Sequence, residues 1–452
     1  KLSAREAVEA TAADAEASLA KPAAQKTADN ASKTPEAAHA AEEAAAKELD
    51  EVSQRFIEET CAEFRDAGAD LPPEKKARMA ELQSELAEVT KKFGENVLDS
   101  VKAWELIVED EEMLAGLPES CRTAARADAE SKGIGSKEEP RWRFTMQFPS
   151  FYPVLQYADS EELRKKIFEG RGTIGLNEKF DNSELVWRIV RLRQEQAELL
   201  GFTNFADLKL QRSMVRDGTR ALGFVEDLHD KIVDAFRNEG AQLEAYKAEK
   251  TGSAVTALEP WEVSYWAERQ RKDRYDFDDE DLRPYFQVSS VMQGLFGLTS
   301  RLFGVTITPR DGLYREPGSD PSDDEIEVWH PDVSFYELHD PESGEHLGSF
   351  YADWHPRESK RGGAWMSSFV RQSGLLNHKP VIVNVLNNPK PADGKPALIS
   401  FDNVTTMFHE MGHAVHGLFS DVTYPSVAGT ATPRDFVEFP STFEEDWAIQ
   451  PD

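Results

Sequence analysis

Residues 401–420 read FDNVTTMFHEMGHAVHGLFS. At about 100° per residue, Val404, Phe408, Met411, Val415 and Leu418 gather on one side of a helix. Asp402, Thr406, His409, His413 and His416 gather on the other. The spacing predicts a helix that packs its apolar stripe inward and turns its histidines toward open space. His409 and His413 are i, i+4 neighbours, so both rings can reach one small ion. Glu410 follows the first ring and projects beside the pair, where a base can take a proton from water at the ion. Gly412 and Gly417 each cost such a helix about 1 kcal/mol relative to Ala. Both therefore require a packing or close-approach reason.

A third donor is found downstream. Glu438 lies 25 residues beyond His413. Thr432 and Pro433 read as N-cap and first residue of a short helix. On that helix Asp435 and Glu438 would share a face, with Glu438 on the metal and Asp435 on the far nitrogen of a ligating ring. Pro440 is expected to kink the helix. Glu444 and Glu445 fit a supporting role or a solvated acidic face equally well. Two His and one carboxylate leave one coordination position open, as in catalytic zinc sites. The longer HExxHxxGxxH ligand pattern is absent, because His416 stands in place of its Gly and Phe419 in place of its last His. His416 is a further candidate ligand, or it lines the cleft.

Upstream of this helix the texture is extended. Val305, Ile307, Val328, Val333–Leu338 and Leu347–Tyr351 predict a small antiparallel sheet, with Asp340–Gly344 as a turn. Val381–Leu386 reads as its last strand. Arg357–Gly363 (RESKRGG) and Pro389–Pro396 read as loops. Eight of the ten histidines lie from His330 onward, so metal-binding side chains concentrate in this last third.

The rest is helical. Residues 1–60 are rich in Ala, Glu and Lys, broken at Pro22, Asn30 and Pro35. Met79, Leu82, Leu86, Val89, Phe93 and Val97 predict a long amphipathic helix opening at Pro72–Pro73. Trp142, Phe144, Met146 and Phe148 alternate as a strand ending at Pro149. Ser160 caps the helix that follows. Residues 182–252, a stretch from Pro260 and about 290–303 are helical, with an acidic patch at Asp276–Asp281. Three units are expected: a helical segment 1–70 of unassigned place, a helical lobe 71–304, and a metal-bearing region 305–452.

Composition excludes several classes. The 452 residues carry 52 Lys+Arg against 83 Asp+Glu, a net charge of −31. Such a chain repels nucleic acid, whose phosphates require a basic surface. Mean hydropathy is −0.56, and no apolar run is long enough to span a membrane. No apolar signal segment is visible at Lys1. Cys61 and Cys121 form no disulfide framework, and reduced thiols in a cytoplasm are expected.

Phe408–Ser420 followed by TPRDFVEFPSTFEEDW (Thr432–Trp447) resembles the thimet oligopeptidase, oligopeptidase A and peptidyl-dipeptidase family of zinc metallopeptidases. Gly348–Met366, Asn388–Val404 and Trp261–Phe286 carry the same resemblance, which runs from about residue 75 onward. TPRDFVEFPS is closest to the bacterial peptidyl-dipeptidase branch. The resemblance implies a mostly helical, two-lobed fold with a deep channel. It implies one zinc held by His409, His413 and Glu438, with Glu410 as general base. It implies short unstructured peptides as substrates, and the edge of the strand at Gly348–Tyr351 as their docking line. Release of C-terminal dipeptides by a cytoplasmic monomer is expected. Internal cleavage by the same machinery, or a zinc-binding fragment without turnover, are the alternatives. Family members continue past the position of Asp452 into residues that grip substrate, so this chain is expected to be a truncated form.

Overall fold

The computed structural model describes residues 49–177, 179–276, 279–315, 325–357, 359–390 and 396–450. The expectations for residues 1–48, for part of the acidic patch at 276–281 and for part of the 389–396 loop lie outside the described residues. Mostly helical architecture is observed, with a small sheet near the helix that carries the two histidines.

The chain begins with α1 (Glu51–Asp66) and the long α2 (Pro73–Ala103). Pro73 takes the first position of α2, where its missing N–H costs nothing. Met79 and Leu82 of the predicted stripe are buried, and the helix packs on α6 (Ser183–Leu199). Asn96 and Asn182 close that contact with a buried amide hydrogen bond of 2.9 Å. A second core forms where β1 (Glu105–Val108) pairs with β2 (Trp142–Thr145) over α3 (Glu119–Ser131), α4 (Phe148–Tyr157) and α5 (Glu161–Gly172). Its centre is Leu114, Phe144, Val154, Leu163 and Ile167. The alternation through Phe148 misleads here. The strand stops at Thr145, because Pro149 opens α4 and Phe148 becomes its exposed first residue. Ser160 caps α5 as expected, accepting from the Leu163 amide at 3.2 Å. Then come α7 (Phe205–Leu210), the 34-residue α8 (Gly218–Thr251), α9 (Val263–Tyr275) and α10 (Val288–Phe303).

The sheet follows. Beside the short parallel pair β4 (Gly312–Tyr314) and β5 (Ile326–Val328), five strands stand in the order β3-β6-β7-β9-β8. These are β3 (Thr306–Arg310), β6 (Val333–His339), β7 (His346–Asp353), β8 (Trp365–Val370) and β9 (Val381–Val385). Three of the four joins are antiparallel as expected. The fourth, β7 with β9, is parallel, so the sheet is mixed. This corrects the reading of Gly348–Tyr351 as a free edge. β7 is hydrogen-bonded on both sides, and the outer strands are β3 and β8. Strand β8 escaped the sequence reading because Trp365–Val370 is partly exposed and carries Ser367 and Ser368 at its middle.

One hydrophobic core joins α10, the sheet and α11 (Phe401–Leu418). It holds Met292, Leu295, Phe350, Ile382, Met407, Met411 and Leu418. Backbone bonds from Val288 to Ala397 and from Ile399 to Phe286 pin the entry to α11 against the start of α10. No helix among the described residues is long and apolar enough to cross a membrane.

The RESKRGG loop is anchored at the end of β7. Asp353, 1% exposed, accepts from Arg357 Nη1 and Nη2 at 2.8 Å each, from Lys360 Nζ at 2.9 Å and from Trp329 Nε1 at 3.1 Å. Burial works to raise the Asp353 carboxyl, but the Arg357 and Lys360 hydrogen bonds outweigh it and hold the group below the usual carboxylate range. Removing one member of such a buried cluster strands the others. Asp353→Asn is therefore expected to cost about 3–5 kcal/mol in urea unfolding. The folded carboxyl titrates below the unfolded one, so its contribution is complete above the unfolded range and is lost as pH falls through the folded value. Stability should drop on acidification below about pH 5, and less steeply in Asp353→Asn. Equal acid dependence in the two proteins would remove Asp353 from that role.

Candidate metal centre

Helix α11 starts at Ser400, whose side chain accepts from the Asn403 amide, and Asp402 sits in its first turn. Both features suit the positive end of the helix dipole. Val404, Met407, Met411, Ala414 and Leu418 face the core. The two glycines do what their cost predicted. A Cβ on Gly417 would stand 2.8 Å from Ile382 Cδ1 of the sheet. A Cβ on Gly412 would stand 2.6 Å from Ser441 Cα and 2.8 Å from the Pro440 carbonyl oxygen. These atoms belong to the helix that crosses α11, α12 (Glu438–Ala448). With no side chain at 412, the two backbones touch.

That contact carries Glu438 to the histidines. Its Oε2 lies 3.0 Å from His413 Nε2 and 3.3 Å from His409 Nε2. The two rings are 5.0 Å apart and nearly perpendicular. One donor atom from each of the three residues lies within 4.8 Å of the other two. Ser441 Oγ donates to Glu438 Oε2 at 2.9 Å, one turn along α12. On the far side of His409, Glu445 Oε1 sits 2.6 Å from Nδ1. A carboxylate there favours the proton on Nδ1, which leaves the Nε2 lone pair available to a cation among the three donors.

Charge and burial are consistent with a cation between the three donors. Burial lowers the pKa of His413, favouring the neutral ring that ligates. Burial alone would raise Glu438, but the Ser441 hydroxyl and the two rings more than offset it, and the carboxylate stays ionised. Glu410 is 5% exposed and its Oε2 has no hydrogen-bond partner. Burial pushes its carboxyl up to about 7, with His409 opposing and Glu438 adding to the shift. The residues therefore fit a divalent metal: two imidazoles and one carboxylate, with Glu445 on His409 and Ser441 on Glu438.

Several expectations change. The helix does not start at Thr432. Residues 434–437 form a turn, with Phe436 and Val437 amides on the Pro433 carbonyl, and α12 opens at Glu438 itself. Pro440 falls in the first turn, where no intrahelical N–H partner is needed, and so it does not act as an interior kink. Asp435 is not brought to either ring. Its two oxygens accept from the Met214 and Val215 amides instead, and the place foreseen for it on a histidine is taken by Glu445. Glu444 is buried with Oε1 unpartnered and makes no bond to the rings. His416 stays outside the three-donor group, and burial lowers its pKa. Ser441 was missed, although its i+3 spacing from Glu438 was a usable signal.

A family model for Peptidase family M3 matches residues 154–452. The chain belongs to peptidase family M3. Relatives of this M3 chain include oligopeptidase A of Escherichia coli strain K12, 37% identical over 414 residues, covering 89% of this chain and 58% of that protein. Dipeptidyl carboxypeptidase of Salmonella typhimurium strain LT2 is 38% identical over 407 residues, covering 89% and 57%. Organellar oligopeptidase A of Arabidopsis thaliana is 34% identical, covering 89% and 51%. The chain thus spans somewhat over half the length of these M3 relatives.

Glu445→Gln is expected to weaken divalent-metal binding roughly 10–100-fold, read by competition with a chromogenic chelator. Gly412→Ala should separate α11 from α12 and lower the melting temperature by the equivalent of about 1–3 kcal/mol. A Gly412→Ala protein with unchanged melting and unchanged metal affinity would show that the close approach is not required.

Proposed function

We propose that this chain hydrolyses peptide bonds in short, unstructured peptides, with one zinc held by His409, His413 and Glu438 and with Glu410 as the general base. The observation that carries this reading is the convergence of the three donor atoms within 4.8 Å, with buried Glu410, its Oε2 unpartnered, next to His409 on the same helix. Zinc in such a site supplies Lewis acidity and lowers the pKa of a coordinated water toward about 7.

The protein's own groups do the rest. Glu410 accepts a proton from the attacking water and returns it to the leaving amine. Its burial keeps the carboxyl from being solvated away from that task. Glu445 and Ser441 hold His409 and Glu438 in place through the cycle. Outer strand β8 packs Met366 within 3.7 Å of the Cβ position at Gly417, and among the described residues it has no strand on its other side. An extended peptide would pair along that edge.

The reading is specified as release of C-terminal dipeptides, in a cytoplasmic setting. Oligopeptidase A and dipeptidyl carboxypeptidase match at nearly equal identity, so internal cleavage remains the second reading. Mass spectrometry of products from one peptide with a free and with an amidated C-terminus separates the two. Dipeptides from the free form alone support the first, and internal fragments from both support the second. Glu410→Gln is expected to keep stoichiometric zinc and lose at least about a thousandfold in kcat. Full turnover in that variant would overturn the role of Glu410, and zinc bound without any turnover in the unaltered chain would reduce the site to metal binding.

A further inference from the structure

Asp435 sits in the turn that delivers Glu438, three residues ahead of it. Its Oδ1 accepts from the Met214 amide at 3.0 Å and its Oδ2 from the Val215 amide at 2.9 Å. These partners lie more than 200 residues away in sequence, in the connection between α7 and α8. The amides hold the Asp435 carboxyl below its usual range, with Met214 the largest cause.

The connection is tied down from its other side as well. Arg212 reaches Glu59 at 3.3 Å and Asp66 at 3.0 Å on α1, and Gln211 Nε2 donates to Asp66 at 3.0 Å. Arg216 holds a left-handed backbone, φ +76°. That conformation is unfavourable for a residue with a Cβ and persists only where the surroundings impose it. The adjacent amides captured by Asp435 are such a constraint. Helix α1 also meets the segment between α11 and α12, since Phe56 stacks on Tyr424 at 4.2 Å and Ser53 Oγ meets the Tyr424 hydroxyl at 3.1 Å.

Glu438 has little else to locate it from the N-terminal side. Its side chain is 61% exposed. The residue before it, Val437, offers no side-chain cap to α12. The turn from Pro433 to Val437 therefore determines where α12 begins, and Asp435 ties that turn to a segment far away in sequence.

We infer that Asp435 is a positioning residue that couples the seating of the α7–α8 connection at Met214 and Val215 to the placement of Glu438 in the metal site. The inference rests on the zinc reading for what Glu438 holds. By reciprocity, whatever the connection contributes to zinc binding, zinc contributes to the order of the connection. A purely structural role for Asp435 would stabilise the junction and leave the two insensitive to each other.

The test is amide hydrogen exchange at Met214 and Val215, with and without zinc, in the unaltered chain, Asp435→Ala and Asp435→Asn. The Leu163 amide, capped by Ser160 in the remote helical core, serves as the control for global stabilisation. Zinc dissociation constants are measured in parallel by chelator competition. Zinc should slow exchange at Met214 and Val215 beyond any change at Leu163, and this response should vanish in Asp435→Ala. Zinc affinity should fall roughly tenfold in Asp435→Ala and less in Asp435→Asn, which keeps one acceptor oxygen. Unaltered zinc affinity in Asp435→Ala, or no specific response at Met214 and Val215 in the unaltered chain, would overturn the inference and leave the zinc site standing. Absence of zinc binding in the unaltered chain would instead overturn the site itself.

Discussion

The contact between α11 and α12 at Gly412 is the constraint on which the site depends. Two helices normally stand 8–10 Å apart because side chains fill the space between them. Here the backbone at Ser441 and Pro440 occupies the volume a Cβ would take. The approach brings a carboxylate on one helix to imidazole nitrogens on the other at 3.0 and 3.3 Å. A longer separation would leave Glu438 short of the rings. The helix cost of glycine at 412, about 1 kcal/mol, is offset by packing and by the site it makes possible.

The same economy of position governs the polar groups. Helix α12 presents Glu438, Ser441 and Glu445 along one side, at spacings of three and four residues. One residue meets both Nε2 atoms, one steadies that residue, and one fixes Nδ1 of His409. Their neighbour Glu444 turns inward and contributes none of this, being buried without a partner for Oε1. Adjacent identical side chains thus acquire different environments from helical geometry alone. The core behind α11 supplies the rigidity, since Met407, Met411, Ala414 and Leu418 are packed against α10 and the sheet.

Membership of peptidase family M3 and the geometry of the site support each other without being the same argument. The family match covers residues 154–452 and names no residue. The geometry names residues and is silent about substrate. Asp435 belongs to neither. It links the turn before Glu438 to Met214 and Val215 across the molecule.

Much of this was legible in one dimension. Periodicity identified α2 and α11, because each buries a stripe repeated at the helical period. The spacing of His409, Glu410 and His413 fell within one turn, where local geometry alone decides which groups face together. Gly412 and Gly417 announced a close approach, though not by what. Signals failed where a partner lay far along the chain. The edge position of β8, the pairing of β7 on both sides and the parallel join to β9 depend on which strands meet. The start of α12 at Glu438 depends on a turn held by Met214 and Val215. The assignment of Asp435 and Glu445 to their actual partners depends on the angle at which α12 crosses α11. Residue types and local periods determined that this chain is mostly helical and carries a His-Glu-His face with a carboxylate to complete it. Only tertiary packing decided which carboxylates reach which nitrogens, because those distances are set by contacts between segments that the order of residues does not join.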